Sequence, residues 1–329
     1  MQATGPFLES LPRAVARLAL LTAVVLVGAC GGSEGTGPGD PGGGTLTGPG
    51  LTWTAVTAPT GTSTWRGVAY GNAVWVAVGN GYRATSATGT GWASLATPSS
   101  YHFQSAVAFA NGVFIAPSAL GVSSSSDGVA WTNQLLDSAQ HLTAVAYGSG
   151  TWVMVDDRFL YTDILSFYVS TTNGGGWAQQ LTTIPYAQPT AIAFGNGTFV
   201  TVGYGGLVAT ATNPATWTQR DLGSVTDLGL MAVTYADGRF VAVTNSGKAY
   251  RSTDGITWTK ATVTVNALYG ITYGNGVFVA VGAAGSIFTS PDAVTWTRRT
   301  WSGPSADFED VAFGVNVFVA AGNTFALSQ

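Results

Sequence analysis

Few side chains in this 329-residue chain can do acid–base or metal chemistry: it has 16 Asp and Glu, 12 Lys and Arg, two His and one Cys. One polar set is Arg66, Tyr269 and Glu309, with Asp310 next to the last. A second is the charged stretch Asp156-Asp157-Arg158-Phe159-Leu160-Tyr161-Thr162-Asp163, in a chain with little charge elsewhere. Hydrolysis of a glycoside needs two carboxyl groups at a defined separation, and only Glu309 with Asp310 and the aspartates of that stretch offer them. His102 and His141 lack a matched third ligand for zinc. Cys30 has no second cysteine to pair with, so there is no disulfide framework. No phosphate loop, nucleotide fingerprint or nucleophile elbow occurs. No cofactor and no metal are therefore expected.

Composition narrows the field of partners. Charged residues make up 9% of the chain, apolar ones 46%, and the formal net charge is -4. Basic residues form no cluster beyond Arg298-Arg299, which excludes a nucleic-acid footprint. Low charge with abundant Gly, Ser and Thr suits a β-rich extracellular protein.

What must position the polar sets is a repeat. An aromatic closing an apolar run recurs as Tyr70, Phe109, Tyr147, Phe194, Tyr235, Tyr273 and Phe313, at intervals of 38 to 47 residues. A tryptophan recurs as Trp53, Trp92, Trp131, Trp177, Trp217, Trp258 and Trp296, displaced by one unit: the first precedes any full repeat and the last repeat has none. A linear array has no reason to lend its first strand to its last unit, whereas a closed ring does. The displacement predicts an all-β, seven-bladed propeller of four-stranded blades, closed by an N-terminal strand, Leu51–Val56, that completes the blade formed by residues 308–329. In the sixth unit the strands are expected at Tyr269–Tyr273, Val277–Val281, Ser286–Ser290 and Val294–Arg298, with Gly/Asn turns supplying the positive φ that tight hairpins need.

Register alignment then sorts the inner strands. Gly67, Ala106, Ala144, Ala191, Ala232, Gly270 and Asp310 share one position, small except for Asp310. The position before it varies: Arg66, Ser105, Thr143, Thr190, Met231, Tyr269 and Glu309. Blades six, seven and one are ring neighbours, so Tyr269, Glu309 and Arg66 should converge at the mouth of the channel, as a satisfied polar plug. The Asp156–Asp163 insertion lengthens the third unit, and loops of that kind on a rigid scaffold often bind ligands. Asp156, Asp157, Arg158, Tyr161 and Trp301 are the expected ligand contacts. Tyr101, Tyr186 and Tyr204 are further aromatics in the same set of loops.

The turns before the tryptophans carry a family resemblance. Ser125, Asp127 and Trp131 recur as Ser252, Asp254 and Trp258 and as Ser290, Asp292 and Trp296. They resemble the Asp-box, or BNR repeat, of sialidase-like propellers, one residue shorter between Asp and Trp. In such a turn, Asp and Ser oxygens accept amide hydrogen bonds and the Trp clamps the hairpin, a structural role repeated around the ring. The resemblance covers residues 51–329. It implies that Asp-box turns share one rim and that ligands meet the opposite face. Its functions range over sialidases, xyloglucan hydrolases, sorting receptors and the propeller that assists photosystem II assembly. A sialidase-like enzyme uses a Tyr/Glu nucleophile pair, an arginine triad and an Asp acid. Tyr269, Glu309 and Arg66 match part of that set, and two further placed arginines are not evident.

The N-terminus is separate. Arg13 and Arg17 precede an apolar run, Leu18 to Ala29, of signal-peptide length and too short to span a bilayer. The run ends at Cys30 in a stretch that resembles the lipobox of bacterial lipoproteins, which implies lipidation of Cys30 and attachment to a membrane. Residues 1–29 are expected to be a signal peptide, 30–50 the lipidated cysteine and a Gly/Pro-rich tether, and 51–329 the propeller. The expectation is a monomeric, lipid-anchored module of the bacterial cell envelope, at the outer membrane or cell surface, that binds a protein or glycan without catalysis. A sialidase-like glycoside hydrolase and an assembly factor for a membrane complex are the alternatives.

Overall fold

The computed structural model describes residues 52–60, 64–97, 103–136, 141–157, 164–185, 188–222 and 229–328. The leader, Cys30, the tether, Arg158 and Tyr161 lie outside them, as do Tyr101, His102 and Tyr186. The described residues form seven sheets, six of them antiparallel meanders of four strands running outward from an inner strand and the seventh a five-stranded sheet completed from the start of the propeller. Each inner strand packs on that of the next sheet, and Trp65–Gly71 of blade one packs on Phe308–Gly314 of blade seven, so the ring closes. The molecule is an all-β, seven-bladed propeller.

Second strands explain why the blades stack. Val277–Gly282 is buried along its whole length, because both faces of the sheet meet a neighbouring blade. The hairpin between first and second strands turns through positive φ, as at Asn111 (φ 47) and Gly112 (φ 77) or Asn275 (φ 47) and Gly276 (φ 78). Asparagine and glycine tolerate that conformation best. Blade seven departs, with Val315 (φ 48) and Asn316 (φ 60) at the same two places.

Closure follows the displaced repeat. Thr52–Val56 pairs antiparallel with Phe325–Ser328, register Trp53↔Ser328 to Val56↔Phe325. Trp53 is 2% exposed and lies 6.2 Å from the Phe318 ring. Gly314 of blade seven fits under Tyr70 of blade one, where a Cβ would come within 2.3 Å of the ring. Two details differ from expectation. The outer strand of blade six begins at Thr297 rather than Val294, since residues up to Trp296 are taken up by the Asp-box turn. Blade seven has a fifth strand, Thr300–Trp301, parallel to Thr52–Trp53, so the closing strand is held on both edges.

Candidate functional site

The variable position in the inner strands is a β-bulge. Pairing between first and second strands slips by one between Trp65 and Gly67, Leu142 and Ala144, Pro189 and Ala191, Leu230 and Ala232, Leu268 and Gly270, and Phe308 and Asp310. The skipped residues are Arg66, Thr143, Thr190, Met231, Tyr269 and Glu309. A bulge leaves its extra residue out of the ladder and re-aims the side chain. That is why composition varies there while in these six blades the residue before it stays apolar and the one after it small, Asp310 excepted.

On one half of the ring these side chains are short and stitch blades together. Ser105 Oγ donates to the Leu142 carbonyl, Thr143 Oγ1 to that of Pro189 at 3.3 Å, and Thr190 Oγ1 to that of Leu230 at 2.7 Å. Each acceptor is the residue just ahead of the bulge in the next blade. Met231 ends the series. Tyr269, Glu309 and Arg66 follow, too long for the seam and set side by side on blades six, seven and one, as the alignment predicts.

A second ring of residues, not singled out by the alignment, sits where each second strand ends: Asn80, Ser118, Asp157, Tyr204, Asn245, Ala283 and Asn323. In five blades its backbone amide donates to a carbonyl in the loop leading into its own blade: Asp157 to His141 (2.9 Å), Tyr204 to Gln188 (3.0 Å), Asn245 to Gly229 (3.1 Å), Ala283 to Ala267 (2.9 Å) and Asn323 to Asp307 (3.2 Å). Those bonds hold the ring at the loop-face mouth. The same alignment, extended to the end of the second strand, carries the signal.

The two rings meet in an arc over blades four to one. Arg66 Nε donates to Asn80 Oδ1 at 3.1 Å. Glu309 is 8% exposed, and its Oε2 is buried with no hydrogen-bond partner. The Asn245 Oδ1 is likewise buried and unpartnered. Few polar atoms are left so in native proteins, because each forfeits its hydration. The expectation of a satisfied plug is therefore corrected: Arg66 is tied to Asn80, and Glu309 keeps an open acceptor.

Electrostatics agree with the geometry. Burial pushes the Glu309 carboxyl up to about 7, against the pull of Arg66 and with a smaller push from Asp307. Asp310, fully buried, is raised to about 7 by burial, although the amides of Val68 (2.9 Å) and Val311 (2.7 Å) donate to its carboxylate. The Val68 bond crosses from blade seven to blade one, which explains an aspartate at an otherwise small position. Tyr269 is raised by burial and by Glu309 and Asp307, and Tyr204 by burial and by Tyr269 and Asp157. Tyr204 and Tyr269 thus lie within electrostatic reach of each other across the mouth.

Other expected site residues have structural duties. Asp156 is 1% exposed and accepts from Ser166 Oγ at 3.1 Å and from the His141 amide at 3.3 Å. Asp157 is half-buried at the mouth, 3.9 Å from His141 Nδ1. The Trp301 indole donates to the Pro304 carbonyl at 2.9 Å and stands edge-on to Phe308. Arg83 is buried between blades one and two, donating to Gln104 at 2.9 Å and Ser123 at 2.6 Å and lying over Trp131. Among the described arginines only Arg66 occupies a bulge, so an arginine triad does not form there. Among the described residues no group of three or more His, Cys, Asp or Glu could hold a metal ion.

The Asp-box turns are built alike. Asp127 Oδ1 accepts the amides of Val129 and Ala130, both at 2.8 Å, Ser125 Oγ accepts that of Gly128 at 2.8 Å, and Trp131 Nε1 donates to the Gly128 carbonyl at 2.8 Å. Asp254 repeats this with Ile256 and Thr257, while Ser252 accepts from Gly255 and Trp258 donates to it. Asp292 does so with Val294 and Thr295, but there Ala293 replaces the glycine and Trp296 Nε1 has no partner. Each of these aspartates thus commits its Oδ1 to the amides of its own turn, a structural duty repeated around the ring.

A family model described as the DUF6242 beta propeller domain matches residues 186–308. A search of curated proteins finds no match. Among solved structures the chain is similar to YCF48 bound to D1 peptide, at 15% identity and a TM-score of 0.66, over 86% of this chain and 99% of that one. It is also similar to virginiamycin B lyase from Staphylococcus aureus with quinupristin, at 10% identity and 0.74, over 85% and 99%. The WD40 beta propeller domain of Doa1 gives 12% identity and 0.63, over 85% and 97%. At these identities the likeness is one of architecture, and it makes the chain a β-propeller by comparison as well as by geometry.

Proposed function

We propose that the chain is a non-catalytic binding or scaffolding module that holds a protein partner at its loop-face mouth and is tethered to the bacterial envelope through lipidated Cys30. The carrying observation is two buried, unpartnered oxygens at that mouth, Glu309 Oε2 with Tyr269 close by and Asn245 Oδ1 on the residue next to Tyr204. Aromatic side chains with a polar tip anchor many interfaces, and open acceptors give such a contact direction. Similarity in fold to YCF48, whose solved structure holds a D1 peptide, is in keeping with a peptide segment as ligand.

The test is site-specific photo-crosslinking in cells expressing the full chain, with the reactive group placed at Tyr204, at Tyr269 and, on the opposite rim, at Ile256. Protein adducts at the two mouth positions and none at Ile256 are expected. Adducts confined to Ile256 would reject the mouth as the docking face. In the same cells, Cys30→Ala should release the protein from the membrane fraction; persistence there would reject the lipid tether.

A further inference from the structure

Resting on that reading, we infer that the mouth recognises a cationic group on its protein partner, the guanidinium of an arginine or the ammonium of a lysine. Three observations converge. The two unpartnered atoms at the mouth, Asn245 Oδ1 and, once its carboxyl is ionised above about pH 7, Glu309 Oε2, are acceptors, so the missing ligand atoms are donors. Glu309 is more than nine-tenths buried, which leaves little room for bulk water to solvate a carboxylate. The described cation beside Glu309, Arg66, gives its Nε to Asn80.

Ligands of other charge fit less well. An anionic group would face Glu309, Asp307 and Asp157 around the mouth, where Arg66 is the described cation beside Glu309. An apolar group would leave both oxygens buried and open. A guanidinium or ammonium, by contrast, donates to the Glu309 carboxylate and can lie against tyrosine rings, and Tyr269 stands beside Glu309 with Tyr204 beyond it, next to Asn245. Arginine suits the mouth best, since its planar guanidinium both pairs with a carboxylate and stacks on an aromatic face.

The experiment uses the full chain and paired peptide libraries, randomised except for a central arginine in one and its neutral isostere citrulline in the other. The arginine library should bind about ten-fold more tightly. Glu309→Gln should reduce that ratio to near one, and Tyr269→Leu should lower it while leaving the charge at Glu309 intact. Asp254→Asn, on the other rim, should not change it. Near-ultraviolet circular dichroism of each variant reports whether the ring still folds. Equal binding of both libraries, abolished by mouth variants, would overturn the cation preference but keep the docking face. Absence of peptide binding at millimolar concentration, with an oligosaccharide bound instead, would overturn both.

Discussion

At the scale of single residues, Glu309 predicts an unusual pH response. Its carboxyl holds a proton up to about 7 in the folded chain against 4.5 when solvated, and Asp310 shifts the same way. A carboxyl raised by folding favours the folded state below its unfolded pKa, and that gain is lost as pH rises to the folded value. Each pKa unit is worth about 1.4 kcal/mol before solvent screening is discounted. The melting temperature should therefore rise on acidification from pH 8 to about pH 5. Glu309→Gln, facing Arg66, Asp307, Tyr269 and Asp310 as before, should flatten part of that rise; an unchanged slope would reject Glu309 as its source. Below about pH 4 the sign reverses. Asp127 is held low by the amides of Val129 and Ala130, Asp254 by those of Thr257 and Ile256, and Asp292 by Thr295 and Val294 against its burial, so protonation there loses stability. Those aspartates were legible from the sequence because the turn repeats. The open state of Glu309 was not, since whether Arg66 reaches Glu309 or Asn80 depends on side-chain geometry that no spacing encodes.

At the scale of the element, hairpins show how far residue type dictates conformation. Asn, Ser or Asp followed by Gly marks the first turn in blades two to six, and each adopts the positive φ that this chemistry predicts. Val315 holds φ 48 with a β-branched side chain that is 59% exposed, so neither packing nor chain geometry supports it. Replacing Val315-Asn316 by Asn-Gly should stabilise the protein by about 1 kcal/mol, read as a shift in denaturant midpoint at constant slope. No gain would mean that the valine makes a compensating contact. Bulges are the converse case. The alignment exposed the variable position, yet not its cause, because a register slip leaves no composition signal when the residue on either side is small or apolar.

At the scale of the molecule, the displaced tryptophans told of a ring, and the closing strand lies where they require. What they left out is the strand Thr300–Trp301 on the far side of Thr52–Trp53, too short to carry an alternating pattern. Trp53→Ala should lower stability by about 3–5 kcal/mol, since it empties a fully packed site in the strand that joins first blade to last. Hydrogen exchange should show the loss spreading from blade seven to blades one and six; a change confined to Thr52–Val56 would count against closure as a cooperative lock. The pairing of Trp53 with Ser328 has one more consequence. Both the first described strand and the last meet the outside on the Asp-box rim, so a leash arriving ahead of Thr52 is fastened to the foot of the ring. If the chain is held at a membrane ahead of Thr52, as proposed above, the propeller would stand like a goblet, with Glu309 and the two tyrosines at a lip turned away from that surface.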